Sequence, residues 1–215
     1  MNKNALMTDI RTLPIEPDKF YHIYNRGVNG NVIFKTESNY HFFLKKISEN
    51  LLTVCDIYAY TLLPNHFHLL VKIKSEERLK SLVKVPNLDK ADLVEKKGLH
   101  SPQNIFSKQF SKVFNSYSQA FNKMYSRHGA LIESPFKRKY IDSDDYLIRT
   151  ILYIHQNLQN HAIVDDFKNY KYSSYLKFLD ETETFLSRNE TLDLFNGKEN
   201  FVFCHKKESD LEDFD

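Results

Sequence analysis

The sequence predicts an α+β fold, a mostly antiparallel sheet with helices packed on one face, in the order β-α-β-β-α-β-α. Three observations carry that expectation. Short aromatic and β-branched runs alternate with longer segments of helical spacing. Two of those runs are separated only by Pro64-Asn65, which reads as a hairpin over 54–73. The longest amphipathic segments, 105–126 and 143–160, follow the hairpin and are split by an extended stretch.

Residues 1–18, with Pro14 and Pro17, read as a loose leader, and 19–180 as one compact domain. "KFYHIYNRG" is β-prone and is broken by the turn residues of "GVNGN". In "ESNYHFFLKKISENLL", Tyr40, Phe43, Leu44, Ile47 and Leu51 share one helical face. "VCDIYAYTLL" and "HFHLLVKI" are the two hairpin strands. Residues 74–102, rich in charge and holding Pro86, Gly98 and Pro102, form an extended connection with some helix. In the next helix Phe106, Phe110, Val113, Phe114, Tyr117, Phe121 and Met124 make one stripe, and Gly129 is placed to end it. "ALIESPFKRKYI" reads as a strand or extended arm. "SDDYLIRTILYIHQNLQN" is a helix with Ser143 as its N-cap and acids in its first turn. Residues 181–215 form a C-terminal extension with weak order signals and an acidic tail.

The composition narrows the function classes. The chain has 215 residues and a formal net charge of +2, so total charge does not announce a polyanionic partner. Its distribution does more: residues 103–141 hold seven Lys or Arg against one acid, and 205–215 five acids against two Lys. That asymmetry suggests a basic working surface, set against the bland reading of a solvated face. Cys55 and Cys204 are far apart and fit no metal or disulfide pattern. No stretch approaches the ~18 apolar residues of a membrane span, and the first residues lack the apolar core of a signal peptide. A soluble, cytoplasmic protein is expected.

Two histidines interrupt an apolar run in "TLLPNHFHLLVKI". Side chains alternate across a strand, so Phe67, Leu69, Val71 and Ile73 point to a core while His66, His68, Leu70 and Lys72 point the other way. Two imidazoles so spaced can hold one divalent ion, or can be polar residues on a wet sheet face. In the 143–160 helix Leu147, Ile151, Ile154 and Leu158 form the core stripe. Tyr146, Tyr153 and Asn157 lie on a flank roughly 110° away. Tyr153 and Asn157 stand one turn apart, side by side. Taken alone, Tyr153 also fits an amphipathic tyrosine at the core boundary.

"YHIYNRGVNGNVIF" (21–34), "LPNHFHLLV" (63–71), "FNKMYSRHGALIESPFKRKYI" (121–141) and "YLIRTILYIHQN" (146–157) resemble the successive blocks of single-tyrosine transposases with a His-hydrophobic-His (HUH) motif. The likeness is strongest to REP-associated tyrosine transposases and spans about residues 20–175. It implies the ferredoxin-like sandwich of HUH endonucleases and a metal-dependent enzyme that cleaves and rejoins single-stranded DNA through a 5′-phosphotyrosine. On this resemblance His66 and His68 match the metal ligands, Tyr153 the nucleophile, and Asn157 the polar residue that completes the metal site. Two departures are visible. The family has Asn-Pro at the end of the helix block, whereas Leu158 follows Asn157 here, and 74–102 is longer than the family's link.

A divalent cation, Mg²⁺ or Mn²⁺, would polarise the phosphate and stabilise the leaving oxygen, and mixed imidazole and oxygen ligation favours Mn²⁺. The DNA-contacting candidates are Asn25 and Arg26 at the end of the first strand, Lys112 and Lys123 on the long helix, and the run Lys137, Arg138, Lys139. Tyr21 and Tyr24 are either base-stacking platforms or strand-packing aromatics. His155 and His161 are either proton acceptors or surface residues. The expected partner is single-stranded or hairpin DNA, with monomer and homodimer both open. The alternatives are a non-catalytic hairpin DNA- or RNA-binding module of the same fold, and a metal hydrolase in which water replaces tyrosine.

Overall fold

The structure, a computed structural model, describes residues 13–82, 102–160, 164 and 166–206. Four strands form one antiparallel sheet: β1 (Phe20–Arg26), β2 (Cys55–Leu62), β3 (His66–Ile73) and β4 (Lys137–Ile141), in spatial order β2-β3-β1-β4. Seven helices are described: α1 (Glu37–Asn50), α2 (Glu76–Leu82), α3 (Pro102–Met124), α4 (Asp144–Asn160), α5 (Tyr175–Leu179), α6 (Arg188–Leu194) and α7 (Lys198–Lys206). The expected order of strands and long helices is therefore the observed one. The leader up to residue 12, most of the 74–102 connection and the acidic tail from 207 lie outside the described residues.

Register decides which side chains share a face. Ile23 pairs with Leu69, Tyr21 with Val71 and Asn25 with Phe67, so these residues look one way. Helices α1 and α3 cover that face. Phe67 packs on Phe43 of α1 and on Phe114 of α3, with ring centroids 5.0 and 5.5 Å apart. In the α3 stripe Phe106, Phe110, Val113, Tyr117 and Phe121 are buried and Phe114 is half-buried, while its last member, Met124, is exposed. The helix does not run on to Gly129. Ser126 takes the left-handed conformation (φ 51°), and Arg127 N–H donates to the Asn122 carbonyl across it. This is a Schellman ending, with serine where glycine is more usual.

His22, Tyr24, His68 and Leu70 look the other way, and this face is also covered. Helix α4 packs on it, with Tyr153 and Asn157 touching His68. Helices thus flank the sheet on both faces rather than one, and the even positions His68 and Leu70 of β3 are buried as its odd ones are. Leu70 is fully buried, as are Phe67, Leu69 and Val71.

Helix α4 is enclosed from its far side too. Residues 170–187 run along the edge of β2, where Leu62 N–H donates to the Tyr172 carbonyl and Ser187 N–H to the Ile57 carbonyl. Helices α5 and α7 close over α4 through Tyr175, Phe178 and Phe201. His155, one of two histidines read as surface groups or proton acceptors, is fully buried in this seam. Its Nδ1 meets His205 Nε2 at 2.8 Å, and its Nε2 meets Ser174 Oγ at 2.7 Å. Ser174 is bonded in turn to the backbone of Tyr60 in β2. The periodicity of α4 alone did not reveal a second covering layer. His161 lies outside the described residues.

Burial pushes the His205 imidazole down to about 4, so it stays neutral in the folded chain at pH values where an unfolded histidine is already charged. The unfolded state then binds the extra proton, and stability falls as the pH drops from the ordinary histidine range toward 4. A slope of about 1.4 kcal/mol per pH unit from this one group is expected in that window. Urea unfolding of the full chain at a series of pH values measures it, and His205→Gln should lack this component of the slope.

Candidate active site on the histidine face

The site is built from β1, β3, β4 and α4. Strand β3 presents His66 and His68, and in β1 Tyr24 lies directly opposite His68 in register. The β2–β3 turn fixes the start of β3. Gly27 N–H donates to the Asn65 carbonyl at 2.8 Å, and a Cβ at Gly27 would lie 2.0 Å from the Asn31 carbonyl oxygen. Only glycine permits that approach. Asn65 then orients the first histidine: its Oδ1 lies 2.7 Å from His66 Nδ1. An amide oxygen only accepts, so His66 carries its proton on Nδ1 and keeps a lone pair on Nε2.

His68 is held in the same way. Its Nε2 lies 3.4 Å from the Asn157 amide nitrogen, a long contact, and its Nδ1 lies 2.9 Å from His22 Nε2. An amide nitrogen only donates, so here too Nε2 is the unprotonated nitrogen and Nδ1 carries the proton. The His66 and His68 rings are 5.2 Å apart and nearly perpendicular. The Tyr153 ring stands steeply against those of His68 and His22, with centroids 5.6 and 5.8 Å away. The phenol of α4 and the imidazoles of the sheet therefore converge.

Two buried oxygens in this region lack a hydrogen-bond partner among the described residues: Asn157 Oδ1, and Oγ1 of Thr61, which pairs with His68 in register. Unsatisfied buried acceptors are uncommon and mark places where an ion or water belongs. Two histidines with unprotonated Nε2 atoms and an orphaned amide oxygen fit a divalent cation of mixed nitrogen and oxygen preference. Among the described residues, no group of three or more His, Cys, Asp or Glu side chains is disposed to share an ion.

The basic run divides by face. Lys137 pairs with Tyr24 and Lys139 with His22, so both lie on the histidine side, with their ammonium groups 5.6 and 5.9 Å from the Tyr24 ring centroid. Arg138 points to the opposite face, buried over Phe136, and burial lowers its pKa. A cleft of about 340 Å³ opens between Tyr24, Arg26, Asn65, His66, His68 and Lys137. Arg26 lies beside His66 in register and is ion-paired to Glu133 at 2.8 Å. Asn25 looks away from the histidines. Its amide donates to the Glu133 carbonyl at 2.7 Å and its oxygen accepts from Arg26 N–H. Lys112 and Lys123 are exposed on α3, which packs on the other face of the sheet. Of the seven basic or polar candidates, Arg26, Lys137 and Lys139 thus surround the histidines, and the other four do not.

Sequence reasoning passed over His22, which is buried against His68. The signal was present as a polar residue at an even position of an apolar strand, alternating with Tyr24. Its partner lies 46 residues away and only the register brings the two together.

No protein-family model matches the chain, and no curated protein matches it in sequence. Comparison of the fold is informative. A structure of a REP-associated tyrosine transposase bound to a REP hairpin superposes with a TM-score of 0.54. The match covers 83% of this chain and 95% of that one, at 14% identity. The chain shares its fold with that transposase. A bacterial tRNA(His) guanylyltransferase-like protein in complex with GTP also matches, at a TM-score of 0.43 and 10% identity over 71% of this chain and 68% of that one. Among the described residues no helix is long and apolar enough to cross a membrane.

Because Asn25 bridges β1 to the 130–136 loop, Asn25→Ala should act on stability. A loss of ~1–3 kcal/mol is expected from the unpaired Glu133 carbonyl and Arg26 N–H, read as a shifted urea midpoint with unchanged slope.

Proposed function

We propose that the chain is a metal-dependent endonuclease and transposase of single-stranded DNA that cleaves and rejoins through a 5′-phosphotyrosine. The observation that carries this reading is the convergence of Tyr153 and Asn157 on His68, the Tyr153 ring 5.6 Å from the His68 ring and the Asn157 amide nitrogen 3.4 Å from His68 Nε2. The shared fold is a second support. His66, His68 and Asn157 would hold the divalent ion, Mn²⁺ or Mg²⁺, which when bound polarises the scissile phosphate and stabilises the leaving oxygen.

The chain's own groups account for the rest. Lys137, Lys139 and Arg26 bring the backbone of a single strand to the cleft by neutralising phosphates. The Tyr153 hydroxyl oxygen forms a bond to phosphorus, the P–O3′ bond breaks, and the proton lost by the phenol is balanced by the one gained by the 3′-oxygen. The products are a 5′-phosphotyrosine and a free 3′-OH. A 3′-OH of a second strand reverses the step, so joining needs no nucleotide cofactor. Hairpin-bearing DNA is the preferred substrate in this reading, which draws on the resemblance of the sequence blocks.

Labelled single strands carrying a hairpin, incubated with the full chain and Mn²⁺, test the proposal. A covalent adduct retained through denaturing electrophoresis and absent in Tyr153→Phe is expected. Cleavage that survives in Tyr153→Phe identifies water as the nucleophile instead. Tight binding with no cleavage under any metal identifies a non-catalytic binding module.

The division of the basic run gives a second expectation. Removing Lys137 and Lys139 together should weaken single-strand binding and reduce the slope of log affinity against log salt by about 1.4, at ~0.7 per phosphate contact. Arg138→Met should leave that slope unchanged. Equal effects from both variants would mean that the face division does not govern binding.

A further inference from the structure

We infer that His22 is a positioning residue for the cation site, locking His68 in the tautomer that turns its Nε2 lone pair toward Asn157. The inference rests on the metal reading above and extends it to a residue outside the ligand set.

His22 and His68 are diagonal neighbours on one sheet face, since His22 pairs with Leu70 and Tyr24 with His68. Both are buried, and their rings stack 5.1 Å apart at 23°. An imidazole enclosed in a strand is costly unless its polar atoms are satisfied, so an apolar residue would be the simpler choice here. The one hydrogen bond defined between the rings, 2.9 Å from His22 Nε2 to His68 Nδ1, has only one direction consistent with its surroundings. The Asn157 amide nitrogen faces His68 Nε2 and can only donate. His68 therefore carries its proton on Nδ1 and gives it to His22 Nε2, and a neutral His22 keeps its own proton on Nδ1. The chain of contacts runs from α4 through β3 to β1 and leaves one imidazole nitrogen aimed at the helix.

Metal-binding histidines are commonly fixed through their second ring nitrogen by a carboxylate, carbonyl or water, and losing that partner costs roughly 10–100-fold in affinity. Here an imidazole takes that place. The Tyr153 ring stands steeply against both rings, with centroids 5.8 Å from His22 and 5.6 Å from His68, so His22 also sets the surface on which the phenol lies.

The test uses the ¹⁵N-labelled full chain and reads the ring nitrogens by long-range ¹H–¹⁵N correlation, followed by Mn²⁺ titration monitored by electron paramagnetic resonance. Wild type should show His68 protonated on Nδ1 and unprotonated on Nε2. His22→Gln, whose amide reaches to the same point as Nε2, should keep that tautomer and bind Mn²⁺ within a few-fold of wild type. His22→Phe, which keeps the ring but not the acceptor, should lose the single tautomer and bind Mn²⁺ roughly 10–100-fold more weakly. Wild-type His68 protonated on Nε2 would overturn the inference, as would equal Mn²⁺ affinity in wild type and His22→Phe. If His22→Phe does not fold, the wild-type spectrum and a His22→Leu titration decide between the same two results. A wild type that shows the assigned tautomer yet binds no Mn²⁺ overturns the metal reading itself and the positioning role with it, a result distinct from the other two.

Discussion

Helix α4 is wedged between the sheet and the layer formed by α5 and α7, and that wedge fixes where the phenol of Tyr153 lies. On the sheet side, Tyr153 and Asn157 meet His68. On the outer side, His155 is tied to His205 and Ser174 inside an aromatic seam of Tyr175, Phe178 and Phe201. A helix packed on one side only keeps some freedom to roll about its axis. A helix with buried hydrogen bonds on its outer side and ring contacts on its inner side has one rotational setting. The catalytic geometry proposed for Tyr153 is thus secured largely by residues that never approach a substrate.

The sheet contributes by sorting chemistry through alternation. One face is a hydrocarbon core of Phe43, Phe67, Phe114 and Ile23. The other collects the imidazoles, Tyr24 and two of the three consecutive cations, while Arg138 between them is turned inward over Phe136. The period of two therefore does for charge what it does for burial. The Lys137 and Lys139 ammonium groups lie over the Tyr24 ring, and Tyr24 stacks in turn on His68, so cationic charge sits one ring away from the histidine. An anionic ligand would be drawn to that spot, and the phosphate backbone of a nucleic acid is such a ligand.

Much of this was legible in the sequence. Hydrophobic periodicity located the three long helices, and β-prone runs located β1, β2 and β3, whereas the segment holding β4 read as a strand or an extended arm, because "KRKYI" has no clear apolar face. The residues of "HFH" and "YIHQN" were picked out by their placement within such elements, and the structure brings them together. The parts that were not legible have a common cause: they depend on register or on pairing between distant segments. His22 means little until β1 is aligned with β3. "KRK" reads as one patch until it is placed on a pleated strand. Helices α5 and α7 have five and nine residues, too short for periodicity to declare, and they are held by ring contacts with His155 of α4. The ending of α3 at Ser126 instead of Gly129 shows local hydrogen bonding overriding residue preference.

The central claim is that one cation belongs between the sheet histidines and the tyrosine helix. Anomalous diffraction at the manganese edge, from crystals of the full chain soaked in Mn²⁺, measures it directly. The account predicts a single strong peak within bonding distance of His66 Nε2 and His68 Nε2, with the Asn157 side chain turned to the ion. No peak there, or a peak bound elsewhere while both imidazoles keep their present neighbours, would contradict it.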